Sequence, residues 1–262
     1  MTLFYILCLF LFNFTYSLNS SKSLIKYEEI KPIKYIYVKN KPKNKSKNKS
    51  KNIYLNETNL IILKGEINKK NTNQFLYELN LIHNKKNVYV YIDSPGGSVE
   101  EGNKIIREVQ YYNLNCIAEK AYSMAFAIFQ SCNYRYIIPF SKLMQHQISL
   151  GIQNEKGKIE NYMNFINQIE NELVLIQSSK ININPDAFKL KTLNEWWIFG
   201  KEILNENCAD EMIMVFCNPL LTKKNITIQT SYYKYIYSKC PLINDPIEKI
   251  KLKEQSIFDI FI

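Results

Sequence analysis

The chain has 262 residues, of which 46% are apolar and 22% charged, with seven Gly and eight Pro. This composition is typical of a globular protein and excludes a collagenous, a fully disordered or a disulfide-scaffold chain. The net charge is +10, but residues 22–52 contain 11 Lys and only two acids, so nearly all of the excess lies in one tract. Because the remaining chain is almost neutral, the charge does not predict a folded nucleic-acid-binding domain.

Residues 1–17 predict a signal peptide. Their apolar stretch, residues 3–12, is short for a transmembrane span, and Thr15 and Ser17 are small residues at the −3 and −1 positions of a cleavage site. This is the one segment apolar enough for a membrane, so a multi-span membrane protein is excluded. An uncleaved membrane anchor is the alternative.

Residues 18–52 form a Lys/Asn/Ser-rich tract that cannot bury a core. We expect a disordered presequence or linker, with binding to an anionic membrane or nucleic acid as the alternative. A signal followed by such a tract predicts entry into the secretory pathway. Two destinations stay open, which are secretion into an extracellular or lumenal space and delivery to a plastid-type organelle by a bipartite presequence.

The cysteines predict neither a disulfide framework nor a metal site. Cys8 leaves with the signal peptide, and five cysteines without tight spacing and without a CxxC pair remain. These five are Cys116, Cys132, Cys208, Cys217 and Cys240.

Strands alternate with helices from residue 53 onward, which predicts an α/β fold with largely parallel strands. Strands are expected in 53–67, 88–92, 114–118 and 134–138. Helices are expected at 71–83, 99–112, 123–130, 157–180, in a short stretch from Pro185, and at 196–210. Residues after 219 are polar and Tyr-rich and indicate no particular role.

Two histidines limit any histidine-dependent mechanism to His83 or His146. His83 stands in a polar turn, where a solvated histidine is expected. Ser123 lies where a strand passes into a helix and is either an N-cap or a nucleophile presented at the helix N-terminus. A serine nucleophile needs a neighbouring base, and His146 is the candidate.

Residues 94–98, with the sequence SPGGS, follow a strand and precede a helix. Either the glycines permit a tight turn, or they allow a backbone N–H group to approach a reacting carbonyl as part of an oxyanion hole.

Three motifs, SPGGS at 94–98, AYSM at 121–124 and MQHQ at 144–147, together resemble the Clp protease proteolytic subunit family in their chain order. The resemblance implies a Clp/crotonase-like spiral of ββα units, with 157–180 as the long handle helix. It implies Ser123 as nucleophile, His146 as general base, and the N–H groups of Gly97 and Met124 as the oxyanion hole of a serine endopeptidase.

The same resemblance implies homo- or hetero-oligomeric rings, unfolded polypeptides as substrates, and an AAA+ unfoldase as partner. No cofactor is expected in this chain, and ATP would act only through that partner. No metal is expected and nucleic acid is not an expected partner. The expected boundaries are 1–17 for the signal peptide, 18–52 for the presequence, 53–219 for the peptidase domain and 220–262 for a C-terminal extension.

Several departures from the family pattern favour an alternative, a catalytically inactive regulatory subunit that assembles with an active partner. Glu195 stands where the family has its triad Asp, and Asp186 is a second, less well placed candidate. The stretch after Ser123 is two residues shorter than typical, and Ala125 and Phe126 replace a smaller pair, which would narrow the substrate pocket.

Acidic residues elsewhere do not predict a carboxylate mechanism. Asp93 and the Asp210-Glu211 pair have no matching partner at recognisable spacing, so solvated or capping roles are expected. Trp196 and Trp197 are expected to pack rather than to stack on a ligand.

Overall fold

The computed structural model describes residues 51–252. The predicted signal peptide and nearly all of the predicted presequence therefore lie outside the described residues. Within 51–252 no helix is long and apolar enough to cross a membrane.

Eleven strands are found in the described range, and most are short. In chain order they are β1 (Asn52–Leu55), β2 (Leu60–Lys64), β3 (Tyr89–Ser94), β4 (Asn115–Tyr122), β5 (Arg135–Gln145), β6 (Trp196–Phe199), β7 (Glu211–Met212), β8 (Met214–Cys217), β9 (Asn225–Gln229), β10 (Tyr233–Ser238) and β11 (Glu248–Lys251).

Seven α-helices are described over the same range. They are α1 (Lys69–Leu81), α2 (Val99–Tyr111), α3 (Met124–Ser131), α4 (Lys156–Ile181), α5 (Pro185–Thr192), α6 (Glu202–Asn205) and α7 (Pro219–Lys223).

The main sheet has the strand order β2-β3-β4-β5-β6, with β7 paired to β5. Strands β2 to β5 are mutually parallel, whereas β6 runs antiparallel to β5. Helices α1, α2 and α3 connect successive parallel strands, as crossover connections must. The expected α/β fold with a long helix is confirmed.

Alternation along the strands divides the core between the two faces of the sheet. In β3, Val90 and Ile92 belong to the large cluster packed under the helices, while Tyr91 points to the other face. There it packs with Ile53 of β1 and Val215 of β8, which form a two-stranded parallel ribbon. Both faces are therefore covered, as parallel sheets require.

Helix α4, the predicted handle, has 26 residues and is about 39 Å long. Its buried residues lie from Ile166 onward, so the C-terminal half packs on the core. In the N-terminal half, Tyr162 and Phe165 are exposed.

The helix expected at 196–210 is wrong. Trp196–Phe199 forms strand β6, and only the one-turn helix α6 follows. The four residues of β6 pair with Lys142–Gln145 of β5, so ladder hydrogen bonds to a neighbouring strand outweigh the local helical spacing.

The expectation that the cysteines form no disulfide framework is also wrong. Disulfides join Cys116 to Cys132 and Cys217 to Cys240, and Cys208 remains a free, buried thiol. The Cα–Cα distances, 5.9 and 5.8 Å, fall in the normal range for a disulfide. Odd cysteine number and wide spacing did not indicate this because the fold brings together residues that are 16 and 23 positions apart.

Beyond β8, the chain forms helix α7 and a second sheet of order β11-β10-β9, which we call the C-terminal sheet. Both of its pairings are antiparallel. The predicted domain boundary at 219/220 falls at the start of α7, two residues after Cys217, and stays a prediction.

Candidate active site

Ser123 lies between β4 and α3 in an unusual backbone conformation, with φ +54° and ψ −122°. Its N–H donates to the carbonyl oxygen of Met144, at 2.8 Å, which ties it to the neighbouring strand β5. The Ser123 side chain makes no capping hydrogen bond to α3. The hydrogen bond that defines an N-cap is therefore missing. The geometry favours the other interpretation of this serine, a nucleophile presented at the helix N-terminus.

His146 follows the last residue of β5, and its Nε2 lies 2.8 Å from Ser123 Oγ. The pairing of Tyr122 with Met144 explains this closeness, because parallel neighbours β4 and β5 end at the same edge of the sheet. Both side chains are half-buried. A neutral imidazole with an unprotonated Nε2 can accept the hydroxyl proton in this arrangement.

The SPGGS turn lies directly against Ser123. Gly96 has φ +93°, and a Cβ there would lie 2.6 Å from the carbonyl oxygen of Tyr122 and 2.8 Å from Ser123 Cβ. Any side chain at this position would push the turn away from the serine. The tight-turn alternative for these glycines is thus observed, and the oxyanion-hole alternative stays a prediction.

Gly97 and Met124 are the residues expected to form the oxyanion hole. Gly97 lies beside Ile67 because the residues before and after it hydrogen-bond to Ile67. Ile67 N–H donates to Gly96 O, and Ser98 N–H donates to Ile67 O, both at 2.8 Å. In the described part of the chain, neither the Gly97 N–H nor the Met124 N–H has a protein acceptor. Met124 is the first residue of α3, where N–H groups lack intrahelical partners and attract negative charge.

The predicted acid is not brought onto the histidine. Glu195 is exposed, with backbone φ +63°, and its Oε2 accepts a hydrogen bond from Trp197 Nε1 at 3.0 Å. The β5–β6 ladder ends at the Gln145–Trp196 pair, so Glu195 stands one position beyond it, as does His146. No hydrogen bond joins the Glu195 carboxylate to His146 within residues 51–252.

Asp186, the second candidate acid, is an exposed residue in the first turn of α5. Its backbone N–H donates to Asn184 Oδ1, and no hydrogen bond connects it to His146 within 51–252. The structure therefore groups Ser123, His146 and the glycine turn, and leaves both carboxylates outside.

The residues that follow Ser123 face the core. Ala125 and Phe126 are fully buried, and the Phe126 ring packs 6.2 Å from that of Trp196. The Ala125 and Phe126 side chains therefore fill space in the core that α3 covers. Trp196 also packs against Phe188, in line with the packing role expected for it.

An ion pair between a buried arginine and a partly exposed aspartate, which the sequence did not indicate, lies next to α3. Arg135 is almost fully buried and binds Asp210 through two guanidinium nitrogens, at 2.8 and 3.2 Å. The third guanidinium nitrogen donates to Gln130 Oε1 on α3, and the Gln130 amide nitrogen donates to Cys208 O. Asp210 stays partly exposed, but its role is more than the solvated or capping one expected, because it provides the partner that the buried Arg135 charge needs.

This pair also determines the protonation of Asp210. Burial alone would raise the pKa of the carboxyl, but the hydrogen bonds and charge of Arg135 outweigh burial and hold the pKa below its ordinary value. Asp93, the other acid expected to be solvated, is paired with Lys120 at 2.9 Å and Lys64 at 3.8 Å.

A small cleft of about 90 Å³ adjoins His146. Gln145 of β5 and Gln177 of α4 hydrogen-bond to each other there and are buried. The sequence does contain a signal for this pair, since Gln177 stands four residues after Leu173 in the buried stripe of α4, where an apolar residue is expected.

His83, in contrast, is exposed and lines a separate cleft of about 600 Å³. Within 51–252 no group of three or more His, Cys, Asp or Glu side chains is arranged to hold a metal ion.

The fold and the site define an α/β protein that presents a serine–histidine pair beside a helix N-terminus. A model of the Clp protease family matches residues 43–215, about two thirds of the chain. The chain therefore belongs to the Clp protease family.

Curated relatives match the chain at low identity, and the aligned region covers most of each relative's length. The chain is 24% identical over 163 residues to the "ATP-dependent Clp protease proteolytic subunit" of Borreliella afzelii (strain PKo), which covers 59% of this chain and 83% of the relative. It is 23% identical over 168 residues to the "ATP-dependent Clp protease proteolytic subunit 2" of Pseudomonas aeruginosa, which covers 62% and 84%.

Proposed function

We propose that this chain is a serine endopeptidase that cleaves unfolded polypeptides through an acyl-enzyme. The observation that carries the proposal is the 2.8 Å hydrogen bond between Ser123 Oγ and His146 Nε2, made by a serine that does not cap its helix. Membership of the Clp protease family supports the same reaction class.

In the proposed reaction, Ser123 Oγ attacks the carbonyl carbon of the scissile peptide while His146 Nε2 takes the hydroxyl proton. The oxyanion accepts hydrogen bonds from the free N–H groups of Gly97 and Met124, where the dipole of α3 favours negative charge. His146 then protonates the leaving amine. Water, deprotonated by the same nitrogen, hydrolyses the ester and restores Ser123.

Glu195 is the proposed orienting acid. Its carboxylate would leave Trp197 Nε1 and accept from the Nδ1–H of His146, since each of the two residues comes directly after the last paired residue of the β5–β6 ladder. A carboxylate at this place fixes the imidazole tautomer and stabilises the imidazolium that forms during attack.

The alternative is a regulatory subunit of the same fold without activity of its own. The specific observation in its favour is that Glu195 is held by Trp197 rather than by His146. In that case an active partner subunit would supply the chemistry.

For assembly, we take the relatives as guide. Their names call them proteolytic subunits of an ATP-dependent protease. Homo- or hetero-oligomeric rings follow as a proposal, with no cofactor in this chain. An AAA+ unfoldase would be the ATP-consuming partner only in a compartment that supplies one, such as a plastid-type stroma.

For the compartment, the two disulfides favour one of the two open destinations. Disulfides persist in extracellular and lumenal spaces and are rare where thiols are kept reduced. We therefore favour secretion or lumenal retention over a plastid-type stroma. In that setting the peptidase would act without an ATP-dependent partner, on peptides and loosely folded chains.

The test is labelling of the full chain with a fluorophosphonate, which reacts with activated serines. We expect label on the wild type and none on Ser123→Ala. Ser131→Ala, at the other end of α3, is the matched control and should label normally. A folded wild-type protein that takes no label would contradict the peptidase and favour the regulatory subunit.

A further inference from the structure

The cleft beside His146 has a polar floor within apolar walls. Its volume, about 90 Å³, is on the order of three water molecules. The apolar walls come from α4 and α5, and the floor comes from the end of β5 and one further residue of α4. The residues concerned are Leu173, Val174 and Phe188 for the walls and Gln145 and Gln177 for the floor.

The two floor residues are buried amides, with Gln177 only 2% exposed and Gln145 only 6%. Each of their four polar atoms has one protein partner. Gln145 Nε2 donates to Gln177 Oε1, Gln177 Nε2 donates to Leu173 O at 2.8 Å, and Gln145 Oε1 accepts from the His146 N–H at 3.1 Å.

Because an amide nitrogen carries two protons, each glutamine keeps one N–H that the protein does not use. A buried donor without an acceptor is unfavourable. The floor of the cleft therefore offers two N–H groups to a bound acceptor such as a carbonyl or hydroxyl oxygen.

No charge lies on this floor. The charged residues that line the cleft are Glu170 and Lys189, which are more exposed than the glutamines and opposite in sign. Lys189 is further engaged by Asn171 Oδ1 at 2.9 Å. A charged side chain would therefore meet no opposite charge at the floor, and burying an unpaired charge is unfavourable.

We propose that this cleft binds the side chain of the substrate residue that precedes the scissile bond, and that it selects a neutral hydrogen-bond acceptor, glutamine above all, over an aliphatic chain of similar size. The inference rests on the proposed function, since His146 is both a wall of the cleft and the general base. The side chain next to the attacked carbonyl is the one that must enter a cleft at this position.

The test uses fluorogenic peptides that differ only in that residue, glutamine against methionine and threonine against valine. We expect the full-length wild type to prefer the hydrogen-bonding member of each pair by about tenfold in kcat/KM, the effect of a buried hydrogen bond made or missed. The double variant Gln145→Met/Gln177→Met removes both amides together and should lose or reverse the preference. Gln110→Met, an exposed glutamine on α2, is the matched control and should keep it.

Fluorophosphonate labelling, which does not depend on this cleft, distinguishes the two ways to fail. Wild-type protein that labels but cleaves after methionine as readily as after glutamine overturns the inference and leaves the peptidase standing. Wild-type protein that neither labels nor cleaves overturns both. The wild-type comparison decides the matter even when the double variant does not fold.

Discussion

The main sheet and the C-terminal sheet are stabilised in different ways. Strands β3 and β4 are mostly buried between two layers, whereas all five residues of β9 are exposed. The end of β10 is instead held to the preceding chain by two bonds. These are the Cys217–Cys240 disulfide and the hydrogen bond that Ser238 Oγ donates to Thr222 O. A small sheet that buries little apolar area depends on such ties.

Because the two sheets are held differently, activity and global stability should be separable by where the chain is changed. The family match ends at residue 215, two residues before Cys217, which the disulfide joins to Cys240 after β10. All proposed catalytic groups lie on the main sheet or beside it. Changes in the core should therefore affect both activity and global stability, and changes in the C-terminal sheet should affect neither strongly.

The largest expected effect is on activity. If Glu195 orients His146, Glu195→Gln should lower kcat by about 10²- to 10⁴-fold because the amide cannot hold the same tautomer. Glu248→Gln on β11 removes an exposed carboxylate of the C-terminal sheet and should leave kcat unchanged. Steady-state peptide hydrolysis measures both. Equal kcat for wild type and Glu195→Gln would remove Glu195 from the mechanism.

Asp210→Asn should destabilise the core by about 3–5 kcal/mol, since it leaves the buried Arg135 charge unpaired. Because the folded pKa of Asp210 is lowered, its contribution is fully present above the unfolded value of about 3.9 and is lost as pH falls towards the folded pKa. Denaturant unfolding across that acidic range should show the two proteins converging. Asp245→Asn, exposed near the C-terminal sheet, is the control and should match the wild type at every pH.

The two disulfides should respond differently to removal. Cys116 and Cys132 bracket Ser123 and α3 within the core, so their double replacement by Ser should cost about 3 kcal/mol of global stability and slow serine labelling. Replacing Cys217 and Cys240 should release mainly the C-terminal sheet. Hydrogen exchange would then rise in β9 to β11 and stay low in β3 and β4. Global unfolding in the second double variant would contradict the separation of the two sheets.

The smallest expected effect concerns the remaining cysteine. Burial raises the pKa of the Cys208 thiol to about 12, so it stays protonated and unreactive at neutral pH. Alkylation followed by peptide mapping should modify Cys208 only after unfolding, and the four disulfide cysteines only after reduction. Modification of Cys208 in the native protein would show that the core opens more readily than its burial indicates.

The sequence alone was sufficient where local pattern determines structure. Periodicity located helices α1, α2 and α4 to within a few residues, because an apolar face at helical spacing is a property of the segment itself. The SPGGS turn could be recognised for a similar reason, since only glycine tolerates the close contact of Gly96 with Ser123.

Tertiary structure decided the features that depend on partners distant in the chain. Trp196–Phe199 forms a strand because it pairs with an edge of β5. Cys116 of β4 can bond to Cys132 because helix α3 packs back against β4 and brings its C-terminal end close to that strand. The partner of Asp210 lies 75 residues away, and that of Gln145 lies 32 residues away. The residue types that can donate, accept and attack are thus determined by the sequence, whereas which of them meet depends on burial, since only packing excludes the water that would otherwise satisfy each one separately.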